Sequence, residues 1–168
     1  VRLMLGEEAE RLETLRFQSQ HDDLTRLMTR TQFLRRVESA LAREDEQAGG
    51  TLVIARVGDI ASLNRQHGRP VVDDLLRALG HHLLHLASSR PDWEAGRLNG
   101  TDFALLATGE DDAAGLAKRV QAVIEEALAL AGDGTRLEVA FPLGACAFSP
   151  GTALKSLLAR TAGALAIA

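Results

Sequence analysis

The sequence predicts an α/β fold, and three observations lead to this prediction. Its 168 residues are enough for one domain with a sizeable core. Short apolar runs rich in β-branched residues alternate with longer runs of helical period, which is typical of a sheet covered by helices. Within residues 96–107, Asn99 and Gly100 separate two apolar runs, and this pattern predicts a β-hairpin with a type I′ turn. Thr101 and Asp102 follow its tip, where a carboxylate either serves a site or is only solvated.

Composition excludes several classes of function. The chain is 46% hydrophobic and 25% charged, with a net charge of −4, so it offers no basic surface for nucleic acid or an anionic membrane. Cys146 is the single cysteine, and no apolar run reaches the roughly 18 residues of a membrane span. We therefore expect a domain in a reducing cytoplasm, with any membrane anchor outside these residues.

Residues 1–20 predict an exposed helix with leucines near heptad spacing, at Leu5, Leu12 and Leu15. Two interpretations remain open, a coiled-coil stalk and an amphipathic helix packed on its own domain. We divide the chain into a helical stalk or linker at 1–20 and a globular domain at 21–168.

The predicted elements of the domain follow in order. Asp22 or Asp23 caps a helix whose apolar residues keep a helical period as far as Leu41. Residues 51–58 predict a buried strand, and residues 71–87 a helix that begins after a proline. Beyond the hairpin, the sequence predicts a helix from Asp111 or Asp112 through Leu130, a strand over 137–148 and a helix over 154–168. Pro142 lacks a backbone donor, which favours a bulge or an edge position for that strand.

The hairpin RLNGTDF resembles the signature R-x-G-G-[DE]-E-F of the GGDEF family, the diguanylate cyclase domains. Its matching residues are Arg97, Gly100 and Phe103, whereas Asn99, Thr101 and Asp102 depart from it. Residues 22–30 are similar to the family's D-x-L-T-G-L-x-N-R. The resemblance implies a central mixed, largely antiparallel five-stranded sheet flanked by helices, entered by an N-terminal signalling helix.

The resemblance also implies that the metal site is lost. In the family a strand ends in D-x-D-x-F-K-x-x-N, and the first Asp holds the metal that carries the triphosphate of GTP. Counting back from Asn64 puts Arg56 at that position and Gly58 at the second acidic one. Of the three implied acidic positions, Arg56, Thr101 and Asp102, only Asp102 is acidic. We therefore expect no metal and no catalytic residue, and we expect Arg56 to pair with Asp102.

Two further family sites are partly retained. Asn64 and Asp73 match the residues that hydrogen-bond guanine, and the alternative is that Asn64 ends a turn and Asp73 caps the next helix. The family's inhibitory R-x-x-D, which binds cyclic dinucleotide product, corresponds to Arg90 and Trp93 and is degenerate here. Trp93 is then expected to be a packing residue or a surface contact.

The resemblance implies a role in cyclic-di-GMP signalling without catalysis. Our first hypothesis is a relay in which the N-terminal helix forms a homodimer or packs on the domain, and the domain couples this helix to a downstream EAL-like domain of the same chain. The second is a module that binds GTP, with magnesium, and regulates a neighbouring phosphodiesterase. The third is an active diguanylate cyclase. We expect no cofactor under the first hypothesis, and a place on the cytoplasmic side of an inner-membrane protein.

Overall fold

The computed structural model describes residues 2–46, 48–130 and 137–167, which form a sheet with helices on both faces. The elements in chain order are α1 (Arg2–Gln20), β1 (Met28–Thr29), α2 (Arg30–Leu41), β2 (Gly50–Arg56), α3 (Ile60–His67), α4 (Arg69–Ala87), β3 (Trp93–Arg97), β4 (Asp102–Thr108), α5 (Ala113–Leu130), β5 (Leu143–Phe148) and α6 (Leu154–Ile167). The strand order is β1-β3-β4-β2-β5, in which β1 and β3 are parallel and the other pairs antiparallel. The predicted fold class, with its mixed and largely antiparallel five-stranded sheet, is confirmed.

Two apolar clusters cover the two faces of the sheet. On one face, Val53 of β2 and Leu105 of β4 pack with leucines of α4 and with α5. On the other face, Leu52 and Leu106 of the same strands pack with Phe33 of α2 and with α6. Successive side chains of a strand point to opposite faces, so strands buried on both sides are apolar throughout. The core therefore fixes the position of β2 and β4, whose ends carry the candidate site.

The segment between α1 and α2 differs from its prediction, because neither Asp22 nor Asp23 caps α2. The Asp22 carboxylate accepts hydrogen bonds from the backbone N–H and the hydroxyl of Thr25, at 2.9 and 2.7 Å. Arg26 then has φ of 65°, outside the helical region. After β1, the hydroxyl of Thr29 caps α2 at its first turn. The helix starts later than expected because the aspartate closes a turn instead.

The strand predicted over 137–148 is shorter, since β5 begins only at Leu143. Before it, the carbonyls of Pro142 and Ala140 accept single hydrogen bonds from the backbone N–H groups of Arg56 (2.9 Å) and Gly58 (2.8 Å). Pro142 cannot donate to a ladder, so regular pairing starts only after it. The edge position predicted from this proline is confirmed, because β5 lies at one edge of the sheet.

The N-terminal helix α1 exposes apolar side chains. Leu12 and Leu15 are each 54% exposed. The side chain of Leu5, the other leucine of the predicted heptad pattern, lies outside the described residues, as does Ala168, the predicted end of the last helix. Among the helices that are described, none has the length and apolarity needed to cross a membrane.

Candidate functional site

The β3–β4 hairpin forms as predicted, but its turn is not type I′. A type I′ turn needs positive φ at both central residues, and neither Asn99 nor Gly100 has one. The connection is longer, and the backbone N–H of Leu98 donates to the carbonyl of Asp102 at 2.8 Å. The Asn99 side-chain oxygen accepts from the backbone N–H groups of Thr101 and Asp102, both at 2.9 Å. The asparagine thus closes the loop with its side chain, which removes the need for left-handed backbone.

Asp102 pairs with Arg56, as predicted. The two residues are register partners on β4 and β2. Nε of Arg56 donates to Oδ1 of Asp102 at 2.8 Å, and Nη2 donates to Oδ2 at 3.1 Å. Asn99 Nδ2 also donates to Oδ2 at 3.2 Å, and the Thr101 hydroxyl lies 3.1 Å from Oδ1. The carboxylate side chain is only 11% exposed, whereas that of Arg56 is 51% exposed.

These contacts determine the charge states of the pair. Burial by itself raises the pKa of Asp102, but the hydrogen bonds from Arg56 and Asn99 and the Arg56 charge outweigh burial and lower that pKa below its ordinary value. The hydrogen bond to Asp102, followed by its charge, raises the pKa of Arg56. The pair is therefore ionised throughout the physiological pH range.

The residues at this position do not fit a magnesium ion. Both oxygens of Asp102 are bonded to a guanidinium, and the neighbouring ligand position is the hydroxyl of Thr101. No group of three or more His, Cys, Asp or Glu able to hold a metal occurs among the described residues. Magnesium takes oxygen ligands, usually with carboxylates, and a cation at 2.8 Å from the single carboxylate opposes its binding.

The N-terminus of α3 is occupied by the chain itself. Asp59 has a left-handed backbone, with φ of 45° and ψ of 58°, and its carboxylate accepts a hydrogen bond from the backbone N–H of Ser62 at 3.0 Å. Helix N-termini attract anions because their first backbone N–H groups have no partner within the helix, and here the Asp59 carboxylate is that anion. The sequence analysis missed Asp59, although an aspartate directly before a helical run is a usual signal of a cap.

Asn64 and Asp73 line one cavity of about 390 Å³, between α3, α4 and the hairpin loop. The apolar part of its wall is Leu24, Ile60, Val72 and Leu76, and the rest is Arg69, Arg97, Gly100 and Thr101. Neither of the alternative roles, a turn end for Asn64 and a helix cap for Asp73, is observed. Asn64 lies within the last turn of α3 and does not end a loop, and Asp73 lies inside α4, whose N-cap is Gly68. The structure therefore brings both predicted base-binding residues to the same cavity.

Two buried polar atoms beside this cavity have no partner. They are Oδ1 of Asn64 and Nε of Arg97, and they are the two such side-chain atoms found in the described part of the chain. A buried unpaired donor or acceptor costs about 1–3 kcal/mol. Both residues belong to the cavity wall. Two residues of the cavity wall thus each have one buried polar atom, an acceptor and a donor, that no described residue satisfies.

Arg97 also connects the hairpin with the segment that follows α1. Its Nη1 donates to the Asp22 carboxylate and its Nη2 to the carbonyl of Gly100, each at 3.0 Å. Its guanidinium lies 5.7 Å from the ring centroid of Phe103, which is buried. Burial raises the pKa of Asp22, but the bonds from Thr25 and Arg97 outweigh burial and lower it. This contact was not predicted, since it joins residues 75 positions apart.

Arg90 lies away from the hairpin tip, before the opposite end of β3. It is exposed and lines a separate cleft of about 710 Å³. Trp93, at the acidic position of the inhibitory motif, is a packing residue as expected, since it is 6% exposed and its Nε1 donates to the carbonyl of Thr108 at 3.3 Å. Asp92 forms an ion pair with Arg43 at 3.5 Å. The position aligned with the motif's aspartate therefore contains no carboxylate.

The sheet order and the hairpin at its centre define a nucleotidyl cyclase-like domain. The family model described as "Diguanylate cyclase, GGDEF domain" matches residues 19–168. The chain belongs to the GGDEF family.

Relatives of known sequence and structure agree with this assignment. The chain is 31% identical over 134 residues to an uncharacterised protein of the hutH 5′ region of Streptomyces griseus, which covers 79% of this chain and 56% of that protein. The coiled coil and GGDEF domain of DgcB from Caulobacter crescentus, in complex with c-di-GMP, has a TM-score of 0.77 at 21% identity, over 98% of this chain and 88% of DgcB.

Two longer proteins have the same fold over nearly the whole chain. Diguanylate cyclase SiaD from Pseudomonas aeruginosa, in complex with its activator SiaC, has a TM-score of 0.75 at 20% identity, over 99% of this chain and 64% of SiaD. The S helix-GGDEF-EAL portion of LapD from Vibrio cholerae, bound to c-di-GMP, has a TM-score of 0.75 at 19% identity, over 97% of this chain and 37% of that portion. The chain thus spans between about one third and two thirds of these two solved chains.

Proposed function

We propose that this GGDEF domain is a non-catalytic relay in cyclic-di-GMP signalling. The observation that carries the proposal is the Arg56–Asp102 ion pair at the family's metal position, with both carboxylate oxygens engaged at 2.8 and 3.1 Å. Phosphoryl transfer from GTP depends on metal ions that neutralise the triphosphate and polarise the attacking hydroxyl. Losing such electrostatic stabilisation costs several kcal/mol of the barrier, or orders of magnitude in rate.

The test of inactivity is product formation. The purified chain is incubated with GTP and magnesium, and separately manganese, and cyclic-di-GMP is measured by chromatography and mass spectrometry. We expect no product above a reaction without protein. Metal-dependent product that disappears in Asp102→Asn would instead identify an active diguanylate cyclase, the third hypothesis, and would end the relay proposal.

A relay needs an input and an output, and we propose α1 and a downstream EAL-like domain for these roles. The similarity to the S helix-GGDEF-EAL portion of LapD supports this arrangement, as does the exposure of Leu12 and Leu15 on α1. In this proposal the leucines form the interface of a homodimer, and the whole protein lies on the cytoplasmic side of the inner membrane. The stalk or linker at 1–20 and the domain at 21–168 remain our proposed division.

The homodimer is tested by light scattering of the chain and of Leu12→Glu/Leu15→Glu. We expect a dimer that the double variant converts to monomer. The matched control is Leu84→Glu, because Leu84 is also exposed, at 42%, but lies on α4. A monomeric parent chain, or equal dissociation in the control, would contradict a dimer through α1.

The second candidate function is a nucleotide-binding module that regulates a neighbouring phosphodiesterase. The unpaired Oδ1 of Asn64 favours it, together with Asp73 on the same cavity. Calorimetric titration of GTP with magnesium into the parent chain and into Asn64→Ala/Asp73→Ala tests it. Binding that is lost in the variant supports the module, and no detectable heat up to about 1 mM, a concentration that corresponds to roughly −4 kcal/mol, opposes it.

A further inference from the structure

We infer that Asn99 is a site of spontaneous deamidation, in which the Gly100 nitrogen attacks the Asn99 side-chain amide and converts it to a carboxylate beside Asp102. Asparagine followed by glycine is the least hindered pair for this reaction, because glycine has no Cβ to block the close approach of its nitrogen. The chain contains two asparagines, and Asn99 is the one that glycine follows, since Arg65 follows Asn64. The reaction needs only the loop and water, so it depends on neither candidate function.

The nucleophile of this reaction is accessible at the tip of the hairpin. Asn99 and Gly100 are both exposed, and a Cβ added to Gly100 would have nothing within 4 Å. Within the described part of the chain, no oxygen accepts a hydrogen bond from the Gly100 N–H. The nitrogen therefore loses no hydrogen bond when it attacks, and the open space leaves the loop room to close a five-membered ring.

Hydrogen bonds to Oδ1 of Asn99 activate the amide for this attack. The oxygen accepts from the backbone N–H groups of Thr101 and Asp102, both at 2.9 Å, and the Thr101 hydroxyl lies at the same distance. Attack at Cγ puts negative charge on Oδ1 and breaks none of these bonds. Hydrogen bonds to a charged oxygen are stronger than those to a neutral one, so the donors stabilise the transition state more than the ground state. The contacts that close the loop therefore also promote the reaction.

The bond changes balance with water as the co-reactant. The Gly100 nitrogen gives its proton to hydroxide and bonds to Cγ of Asn99. The Cγ–Nδ2 bond breaks, and Nδ2 takes a proton from water and leaves as ammonia. Water then opens the five-membered imide at either carbonyl, which gives aspartate or isoaspartate at position 99. One uncharged amide thus becomes one carboxylate, and in isoaspartate the backbone passes through the former side chain.

Deamidation changes the contacts of Asp102. Before the reaction, Nδ2 of Asn99 donates to Oδ2 of Asp102 at 3.2 Å. A carboxylate has no donor, so this hydrogen bond is lost and two negative charges face each other. Arg56, which donates to the same oxygen at 3.1 Å, then has two carboxylates beside it instead of one. We therefore expect aged protein to be less stable than fresh protein at neutral pH.

Peptide mass spectrometry of the intact chain after incubation at mildly alkaline pH measures the reaction. Cleavage after Arg97 and Lys118 gives peptide 98–118, in which Asn99 is the single side-chain amide. We expect aspartate and isoaspartate to accumulate in this peptide while ammonia is released. Asn64 is the internal control, because it lies in α3 and precedes arginine. It should react at least about tenfold more slowly, a barrier difference of about 1.4 kcal/mol.

Two variants and one change of condition complete the test. Gly100→Ala, whose methyl group enters open space, should keep the fold and slow the reaction at Asn99 at least about tenfold, since the methyl hinders attack. Asn99→Asp has the side chain of one product and should unfold at lower urea concentration than the parent chain at neutral pH, as aged protein should. Because the loop supplies donors to Oδ1, the folded chain should react no more slowly than the chain unfolded in urea.

Several results would overturn the inference. Slower conversion of Asn99 in the folded chain than in urea would mean that the loop protects the amide. Equal rates at Asn99 and Asn64, or an unchanged rate in Gly100→Ala, would mean that the glycine nitrogen is not the nucleophile. A urea midpoint of Asn99→Asp equal to that of the parent chain would contradict the effect on Asp102.

Discussion

Replacing Arg56 by methionine isolates the energetic role of the ion pair with Asp102. Methionine keeps an apolar stem and removes two charge-assisted hydrogen bonds. Breaking a fully buried pair costs about 3–5 kcal/mol, and an exposed pair is worth at most about 1 kcal/mol. The carboxylate is 11% and the guanidinium 51% exposed, so the pair lies between these limits. We expect Arg56→Met to lower the free energy of unfolding by about 2 kcal/mol at pH 7.

The pH dependence of this loss follows from the pKa of Asp102. Its folded pKa lies below the unfolded value of about 3.9, so the pair stabilises the fold above that pH and the stabilisation disappears as pH falls through the folded pKa. Replacing Arg56 removes a hydrogen bond and a charge that lower the pKa of Asp102, while burial, which raises this pKa, remains. The difference between parent chain and variant should therefore be constant near neutral pH and shrink below about pH 4.

Urea denaturation at pH 7 and at about pH 3 measures the loss in unfolding free energy at each pH. The melting temperature of Arg56→Met should fall by about 4–8 °C at pH 7 for a domain of this size. Arg77→Met is the control, because Arg77 pairs with Asp74 at 2.8 Å while the side chains are 57% and 67% exposed. That variant should lose no more than about 0.5 kcal/mol. Equal losses in the two variants, or a loss for Arg56→Met that is the same at both pH values, would refute this reasoning.

Three further predictions concern packing and charge elsewhere. Gly96→Ala should cost about 1–3 kcal/mol in urea denaturation, because its new Cβ would lie 2.6 Å from the Phe33 ring, whereas Gly100→Ala, with nothing within 4 Å, should be nearly neutral. Leu157→Ala, at a fully buried position of α6, should cost about 2–5 kcal/mol in thermal unfolding, and a loss under 1 kcal/mol would mean that the helix is not packed as described. Asp22→Asn should destabilise by about 1–2 kcal/mol at pH 7, since Asp22 also has a lowered pKa, and a loss that is undiminished at about pH 3 would contradict this assignment.

The features predicted correctly from sequence are those that a local pattern or a register determines. Residues 52–55, within the strand predicted over 51–58, are apolar on both faces, so their burial followed directly from composition. The Arg56–Asp102 pair followed from the resemblance, which aligned both residues with one metal site, and antiparallel pairing of β2 and β4 puts them opposite each other. Neither prediction depended on knowing which conformation a side chain adopts.

The features that were missed depend on side chains competing with the backbone. Asn99 closes the hairpin loop with its own oxygen, so a dipeptide that usually indicates a left-handed turn adopts another conformation. Asp22 likewise closes a turn instead of capping α2. The contact between Asp22 and Arg97 joins distant segments, and nothing in either segment alone indicates it. Sequence patterns specify donors and acceptors but do not select among their partners.

Gly58 lies against the segment that precedes β5, and this contact restricts which residues position 58 can hold. Its N–H bonds to the Ala140 carbonyl at 2.8 Å, and a Cβ added there would lie 3.1 Å from that same oxygen. An aspartate at 58 would therefore require the segment before β5 to move, in addition to replacement of Arg56. Either change alone would therefore destabilise the fold, the first through the close contact with the Ala140 carbonyl and the second by leaving the Asp102 carboxylate without its cation.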